Sequence, residues 1–259
     1  MAKVLVLVPF AFDEKGIANR QSQLDSVQLG PDIDFDYRPV KAGPALYDSQ
    51  HDYVLADISI LEAGLTAQED GYDAVCIDTM SDSGVAALRA VLDIPVIGPG
   101  RATILTAMML GDKFGMLVMW DRWAGLYKKV MDELGIWHKY AGMQSIDIPP
   151  DRFNLLSGEE DETFPLLEEA GRKLVEENKA DVIILGSTSM HQSQAYLAER
   201  LPVPVISPGS LTYALVQMLL TAGLSHSRTA YPRPVARSDD YIHGMLDSAA
   251  AAAAKKSGS

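Results

Sequence analysis

The 259-residue chain has a single cysteine, Cys76, which excludes intramolecular disulfides and thiolate zinc clusters. Its five histidines are scattered without an HxxxH or HxH pair, so a metal site has no support in the sequence. No apolar run approaches the roughly 20 residues that a membrane helix needs, and no membrane partner is expected. Basic residues are scarce: 22 Lys and Arg against 35 Asp and Glu give a formal charge of −13. That is the wrong sign for a surface that binds phosphate backbones, so nucleic acid is excluded as a main partner. Gly-x-Gly-x-x-Gly and Walker-type loops are missing too, so no cofactor is expected; Gly98-Pro99-Gly100 is a weak look-alike.

What is present is ordinary for a globular protein, 47% hydrophobic and 22% charged. At roughly 150 residues per domain, the length suits one large or two small domains. Met1 to Phe10 carries only Lys3 ahead of a short apolar stretch closed by Pro9, with no small-residue cleavage site. It reads as a first strand rather than a signal peptide, and a cytoplasmic protein is the simplest expectation.

An internal repeat is the most informative pattern. Pro95-Val96-Ile97-Gly98-Pro99-Gly100-Arg101-Ala102-Thr103 returns as Pro204-Val205-Ile206-Ser207-Pro208-Gly209-Ser210-Leu211-Thr212, identical at six of nine positions. Upstream, Tyr72-Asp73-Ala74-Val75-Cys76-Ile77-Asp78-Thr79-Met80-Ser81 parallels Ala180-Asp181-Val182-Ile183-Ile184-Leu185-Gly186-Ser187-Thr188-Ser189. Glu62-Ala63-Gly64 matches Glu169-Ala170-Gly171, and the opening strands at 3–8 and 113–118 also correspond. Four matches in one order at nearly one spacing imply two copies of one module.

Each copy alternates strand and helix. Residues 4–8 and 116–119 are continuous apolar runs, as strands buried on both faces require. Residues 75–77 and 182–185 read as second buried strands, followed by Thr/Ser-rich turns and helices at 84–92 and 192–201. Short third strands at Pro95 and Pro204 lead through Pro-Gly turns into helices at 103–110 and 212–220. The expected class is α/β: two lobes related by a pseudo-twofold, each a parallel sheet with helices on both faces, with a ligand cleft between them. The expected division is 1–98 plus 210–259 for the first lobe and 99–209 for the second. Ligands bind beyond the carboxyl ends of such strands. The turns at Thr79, Met80, Ser81 and at Gly186, Ser187, Thr188, Ser189 should therefore face each other. Pro9 with Phe10, and Met119 with Trp120, follow equivalent strands and are expected to line the same cleft; Trp123 and Tyr127 are expected in core or interface.

These residues resemble the aspartate/glutamate/hydantoin racemase superfamily, most closely its hydantoin racemase-like branch. The resemblance covers nearly the whole chain. It rests on Asp73 to Gly84 with Ile94-Pro95-Val96-Ile97-Gly98, on Ala180 to Met190, and on Gly223-Leu224-Ser225-His226-Ser227-Arg228-Thr229-Ala230-Tyr231-Pro232. It implies a cofactor-independent racemase or isomerase, acting on a small molecule and assembling as a homo-oligomer. It also implies a cysteine at the end of the second strand of each lobe, one removing and one returning a substrate proton. This chain has Thr79 and Ser187 at those positions. Cys76 lies three residues earlier and is expected to be a core thiol.

A thiol near pKa 8.5 is readily ionised, whereas aliphatic hydroxyls are several units less acidic and need a neighbour to take their proton. His191, four residues after Ser187, is a candidate partner on one side of a first helical turn. Asp78 is a candidate general base or a buried hydrogen-bonded carboxylate. Asp82 is a candidate base or an N-cap for the helix at 84–92. The hydroxyl-bearing turns also suit an oxyanion. Arg20, Arg101 and Arg122 are possible carboxylate partners. Three readings stand: a racemase or isomerase working next to a carbonyl of a small carboxylate or cyclic amide or ureide; a cofactor-free hydrolase or lyase using Ser187 or Thr79; and a non-catalytic small-ligand binding protein. Tyr231-Pro232-Arg233-Pro234 should form a crossing segment or subunit contact. The acidic residues from Glu159 to Glu177 should form a solvated loop and helix face, and residues 248–259 a fraying helix end and disordered tail.

Overall fold

The computed structural model describes residues 1–149 and 160–257. Its first sheet takes β1 (Ala2–Val8), β2 (Ile33–Pro39), β3 (Ala74–Ile77) and β4 (Val96–Ile97) in the order β2-β1-β3-β4. The second takes β5 (Phe114–Val118), β6 (Tyr140–Ser145), β7 (Val182–Leu185) and β8 (Val205–Ile206) in the matching order β6-β5-β7-β8. All pairings in both sheets are parallel. Helices flank them: α1 (Glu14–Gln21), α2 (Gln50–Gly64), α3 (Val85–Val91), α4 (Pro99–Leu110), α5 (Ala124–Leu134), α6 (Glu160–Glu176), α7 (Ser193–Arg200), α8 (Pro208–Thr221) and α9 (Asp239–Ser257).

The apolar runs become the inner strands. Val4 to Val8, Phe114 to Val118 and Val182 to Leu185 have no exposed surface beyond a trace, because helices cover both faces. The outer strands β2 and β6 are only half-buried, and β2 turns Asp34 and Asp36 to solvent. Each Pro-Gly turn begins a helix one residue after a short strand, with Pro99 and Pro208 at the first helical position where a missing N–H costs nothing. These helices then cross between the sheets. α4 packs on β5 and β7 of the second sheet, α8 on β3 of the first, and the two pack on each other. That reciprocal exchange ties the lobes together around the pseudo-twofold.

Helix α9 is continuous through Ser257, in place of the expected fraying end, and sends Leu246 into the core; residues 258 and 259 of the expected tail lie outside the described residues. The acidic stretch is helical from Glu160, its first turn placing Glu160, Asp161 and Glu162 at the electropositive end of α6; Glu159 lies outside the described residues. Tyr231 is strapped to α3, its hydroxyl accepting from Arg89 Nη1 at 2.9 Å. Among the described residues no helix is long and apolar enough to cross a membrane.

Cys76 is fully buried among Val4, Val6, Ile97, Tyr213 and Val216, and burial pushes its thiol far above the ordinary cysteine range. We therefore expect no reaction with a thiol reagent in the native protein and one reacting equivalent after guanidinium unfolding. Spectrophotometric thiol titration in the two conditions checks this, and rapid native labelling would place Cys76 outside the core.

Candidate active site

The inner strands carry their chemistry at the carboxyl ends. The Asp78 N–H donates to Leu7 O at 2.9 Å, and the Gly186 N–H donates to Leu117 O at 2.8 Å. These are equivalent last bonds of the two ladders, so Thr79 and Ser187 leave their sheets at the same height. Both line one cleft. Pro9, Phe10, Arg20, Leu46, Tyr47, Asp78 and Met80 join Thr79 from one side; Trp123, Leu126, Gly186, Thr188 and Ser189 join Ser187 from the other.

The turns repeat each other in their hydrogen bonds. Thr79 Oγ1 lies 3.2 Å from Ser81 Oγ, and Ser187 Oγ lies 2.7 Å from Ser189 Oγ. Thr79 O accepts from the Asp82 N–H as Ser187 O accepts from the Met190 N–H. One residue earlier the symmetry breaks. A Cβ at Gly186 would collide with Tyr127 Oη and Val118 Cγ1, and the Tyr127 hydroxyl donates to Gly186 O at 2.7 Å. The equivalent position in the first lobe holds a carboxylate, Asp78.

Asp78 is answered by Arg20, whose Nη1 lies 3.3 Å from Asp78 Oδ2, with both side chains buried. Gln23 Nε2 donates to Asp78 Oδ1 at 3.2 Å, and Arg20 Nη1 donates to Thr188 Oγ1 at 3.3 Å, bridging the lobes. The guanidinium sits 5.7 Å from the Phe10 ring centroid and 5.6 Å from that of Phe12, where the ring faces stabilise a cation. Arg20 Nε and Asp78 Oδ2 find no hydrogen-bond partner among the described residues. A donor and an acceptor thus stand side by side in the cleft wall, with both of these atoms buried.

Several expected positions fall elsewhere. Ser187 and His191 are not a hydrogen-bonded pair. A single 3-10 turn, Thr188–Met190, separates them, so their spacing does not span one α-helical turn. His191 Nε2 instead meets Ser22 Oγ at 3.3 Å and lines a separate cavity, and burial lowers its pKa below the ordinary value. Ser81 lines a second cavity behind the cleft rather than the cleft itself. Met119 and Trp120 do not line the cleft: the backbone stays extended through Trp120, and the 3-10 turn Asp121–Trp123 brings Trp123 in instead. Trp123 and Tyr127 are both core, as expected, and Trp123 is a cleft wall as well. Arg101 pairs with Glu133 and Arg122 with Asp48, leaving Arg20 as the guanidinium of the three that reaches the cleft.

Asp82 does not cap the helix that follows it. Its Oδ1 accepts from the Gly100 N–H at 2.7 Å and its Oδ2 from the Arg101 N–H at 2.9 Å, so it caps α4. Leu46 and Tyr47 carried no sequence signal beyond one aromatic in a loop. The sequence marks Trp123 with Tyr127 as core or interface and does not single out Leu126; the i, i+3 spacing of Trp123 and Leu126 marks a buried face without saying what it faces.

A family model described as Asp/Glu/Hydantoin racemase matches residues 19–216 of the chain. A hydantoin racemase of Pseudomonas sp. (strain NS671) is 29% identical over 168 residues, 64% of this chain and 66% of that protein, just under two thirds of its length. A hydantoin racemase of Paenarthrobacter aurescens is 27% identical over 74% of this chain and 81% of that protein. Among solved structures, allantoin racemase from Klebsiella pneumoniae superposes with a TM-score of 0.81 at 22% identity, covering 92% of this chain and 95% of that one. That last likeness is one of fold.

Two outcomes are expected from this geometry. Burial pushes the Asp82 carboxyl up to about 6 from an ordinary 3.8, against the two backbone N–H bonds and the Arg89 and Arg101 charges. The folded protein then binds more protons than the unfolded chain between about pH 4 and 6. This group's contribution is therefore greatest below that window and falls as pH rises through it. Asp82→Asn removes the slope, which is at most about 1.4 kcal/mol per pH unit, and denaturant unfolding of both proteins from pH 4 to 7 measures the difference. Separately, Arg20→Met leaves Asp78 buried and unpaired and should destabilise by about 3–5 kcal/mol, whereas Arg20→Met with Asp78→Leu should recover most of the loss. A double-mutant cycle with additive effects would contradict the pairing.

Proposed function

Because the chain belongs to the Asp/Glu/hydantoin racemase family, we propose that it is an enzyme that moves a proton at a carbon next to a carbonyl in a small carboxylate or cyclic ureide. One observation carries this reading: equivalent hydroxyl-bearing turns from two lobes line a single cleft beside a buried Arg20–Asp78 pair with unused hydrogen-bonding capacity. Thr79 and Ser187 occupy the positions where the proton is taken and returned. Arg20 holds the substrate's carbonyl or carboxylate oxygen, and Asp78 accepts from a neighbouring N–H or O–H. A ureide or an α-substituted acid presents that acceptor and donor side by side. As the C–H bond breaks, its electron pair passes into the carbonyl, and the enolate oxygen is met by the guanidinium and the turn hydroxyls.

The apolar walls, Phe10, Tyr47, Trp123 and Leu126, exclude water and strengthen those contacts. Burial pushes the Tyr47 phenol well above its usual range, so it stays protonated and serves as a donor or a wall, not a base. Hydrolysis through a Ser187 activated by His191 finds no support, since His191 is engaged elsewhere.

In heavy water the protein should exchange the α-hydrogen of a 5-substituted hydantoin or of allantoin faster than buffer alone, followed by NMR. Thr79→Ala and Ser187→Ala should each lower that rate by about 10²–10⁴-fold, the usual weight of a positioned proton-transfer group. Full activity in both variants would remove the hydroxyls from the mechanism.

A further inference from the structure

The Thr79 hydroxyl is not the end of its chain of hydrogen bonds. Thr79 Oγ1 lies 3.2 Å from Ser81 Oγ, and Ser81 Oγ lies 2.8 Å from Ser83 Oγ. All three side chains are buried. Thr79 lines the cleft, whereas Ser81 and Ser83 line the second cavity. Exposed Lys128 and Glu133 stand at the rim of that cavity, which opens it to solvent. The other lobe is built differently, because both members of its pair, Ser187 and Ser189, face the cleft.

We infer that Thr79, Ser81 and Ser83 form a proton path from the cleft to the second cavity, serving one of the two substrate faces. This rests on the proton-transfer reading of the cleft given above. A hydroxyl both donates and accepts, so a row of three can pass a proton while each oxygen keeps one. When the substrate carbon releases its proton to the Thr79 oxygen, the C–H electron pair stays on the substrate as the enolate. Thr79's own proton moves to Ser81, that of Ser81 to Ser83, and that of Ser83 to solvent base in the second cavity. Return of the proton runs the same steps backwards. The path answers the difficulty that a hydroxyl raises: Thr79 need never exist as a free alkoxide, since it receives one proton as it gives up another. On the Ser187 side the proton of Ser187 passes to Ser189 and that of Ser189 to the forming enolate oxygen, so the proton stays inside the cleft. The two faces should therefore differ in how fast they exchange with water. Ser81 and Ser83 act through Thr79 and are positioning residues for its proton.

The test follows α-deuteration of each enantiomer of allantoin and of 5-methylhydantoin in heavy water. In the unaltered protein one enantiomer should exchange faster than the other. The rate should also bend downward against the deuterium fraction of the solvent, as several protons in flight require. Ser81→Ala and Ser83→Ala should each slow the faster enantiomer by at least ~10-fold with KM unchanged, and should straighten that plot. Ser81→Thr, which keeps a hydroxyl, should restore both rate and curvature, an effect that loss of packing would not produce. If both alanine variants keep the rate and the curvature, the path is wrong while the proton-transfer function stands. If the unaltered protein exchanges neither substrate, the function and the path fall together.

Discussion

Parallel pairing of β1 with β3 and of β5 with β7 fixes where the chemistry sits. A parallel ladder has even spacing, so the last bond of each pair sets the height at which the chain leaves the sheet. Leu7 O and Leu117 O receive those bonds from Asp78 and Gly186. Everything beyond them, Thr79 and Ser187 first of all, is placed by that register. A slip of one residue in either ladder would shift that strand end by one position and put Thr79 or Ser187 out of step with its counterpart. The crossed packing of α4 and α8 then holds the two sheets so that their ends share one cleft.

The second constraint is electrostatic. A guanidinium and a carboxylate buried together repay their desolvation only if geometry and further hydrogen bonds are good. Arg20 and Asp78 fall short of that standard alone: one contact of 3.3 Å, one hydrogen bond from Gln23, one to Thr188, and two atoms left over. Such a pair is a poor way to stabilise a fold and a reasonable way to hold a polar ligand. Position 186 carries no side chain because Tyr127 occupies that space. The cleft is therefore charged on one side and lined by hydroxyls on the other, an asymmetry imposed on a duplicated frame.

The sequence showed the frame better than the site. The repeat and the inner strands were legible because burial on both faces leaves continuous apolar runs. The outer strands β2 and β6 were not, since half-buried strands with residues such as Asp34 and Asp36 break those runs. Thr79 and Ser187 were found through equivalence, which survives in local sequence. Arg20, Tyr47 and Leu46 reach the cleft from α1 and a loop by long-range packing, which leaves no local pattern to aim them. The exchange of Trp120 for Trp123 and the turning away of His191 share one cause. A 3-10 turn follows each strand end at those points, and its extra rotation of about 20° per residue relative to an α-helix decides which side chain points inward. Asp82 misled for another reason. It stands where an N-cap should be, yet the N–H groups it satisfies belong to a helix that begins well downstream.

Hydroxyls in place of thiols also say something about where stabilisation must come from. An aliphatic hydroxyl is several pKa units weaker as an acid than a cysteine near 8.5, and each unit is worth about 1.4 kcal/mol. A mechanism that ionised Thr79 or Ser187 would begin many kcal/mol behind one that ionised a thiol. Two devices avoid that cost: passing protons in concert, so that no alkoxide accumulates, and placing positive charge where the enolate forms, so that the carbon acid itself becomes stronger. In the proposed reaction Arg20 supplies the second from a water-poor pocket, where a charge at a given distance acts far more strongly than in water. On the proposed reading, Asp78 serves as its partner and not as a free base. An unpaired carboxylate in that position would repel the enolate, whereas one shared with Arg20 leaves the cleft close to neutral until the substrate develops its charge.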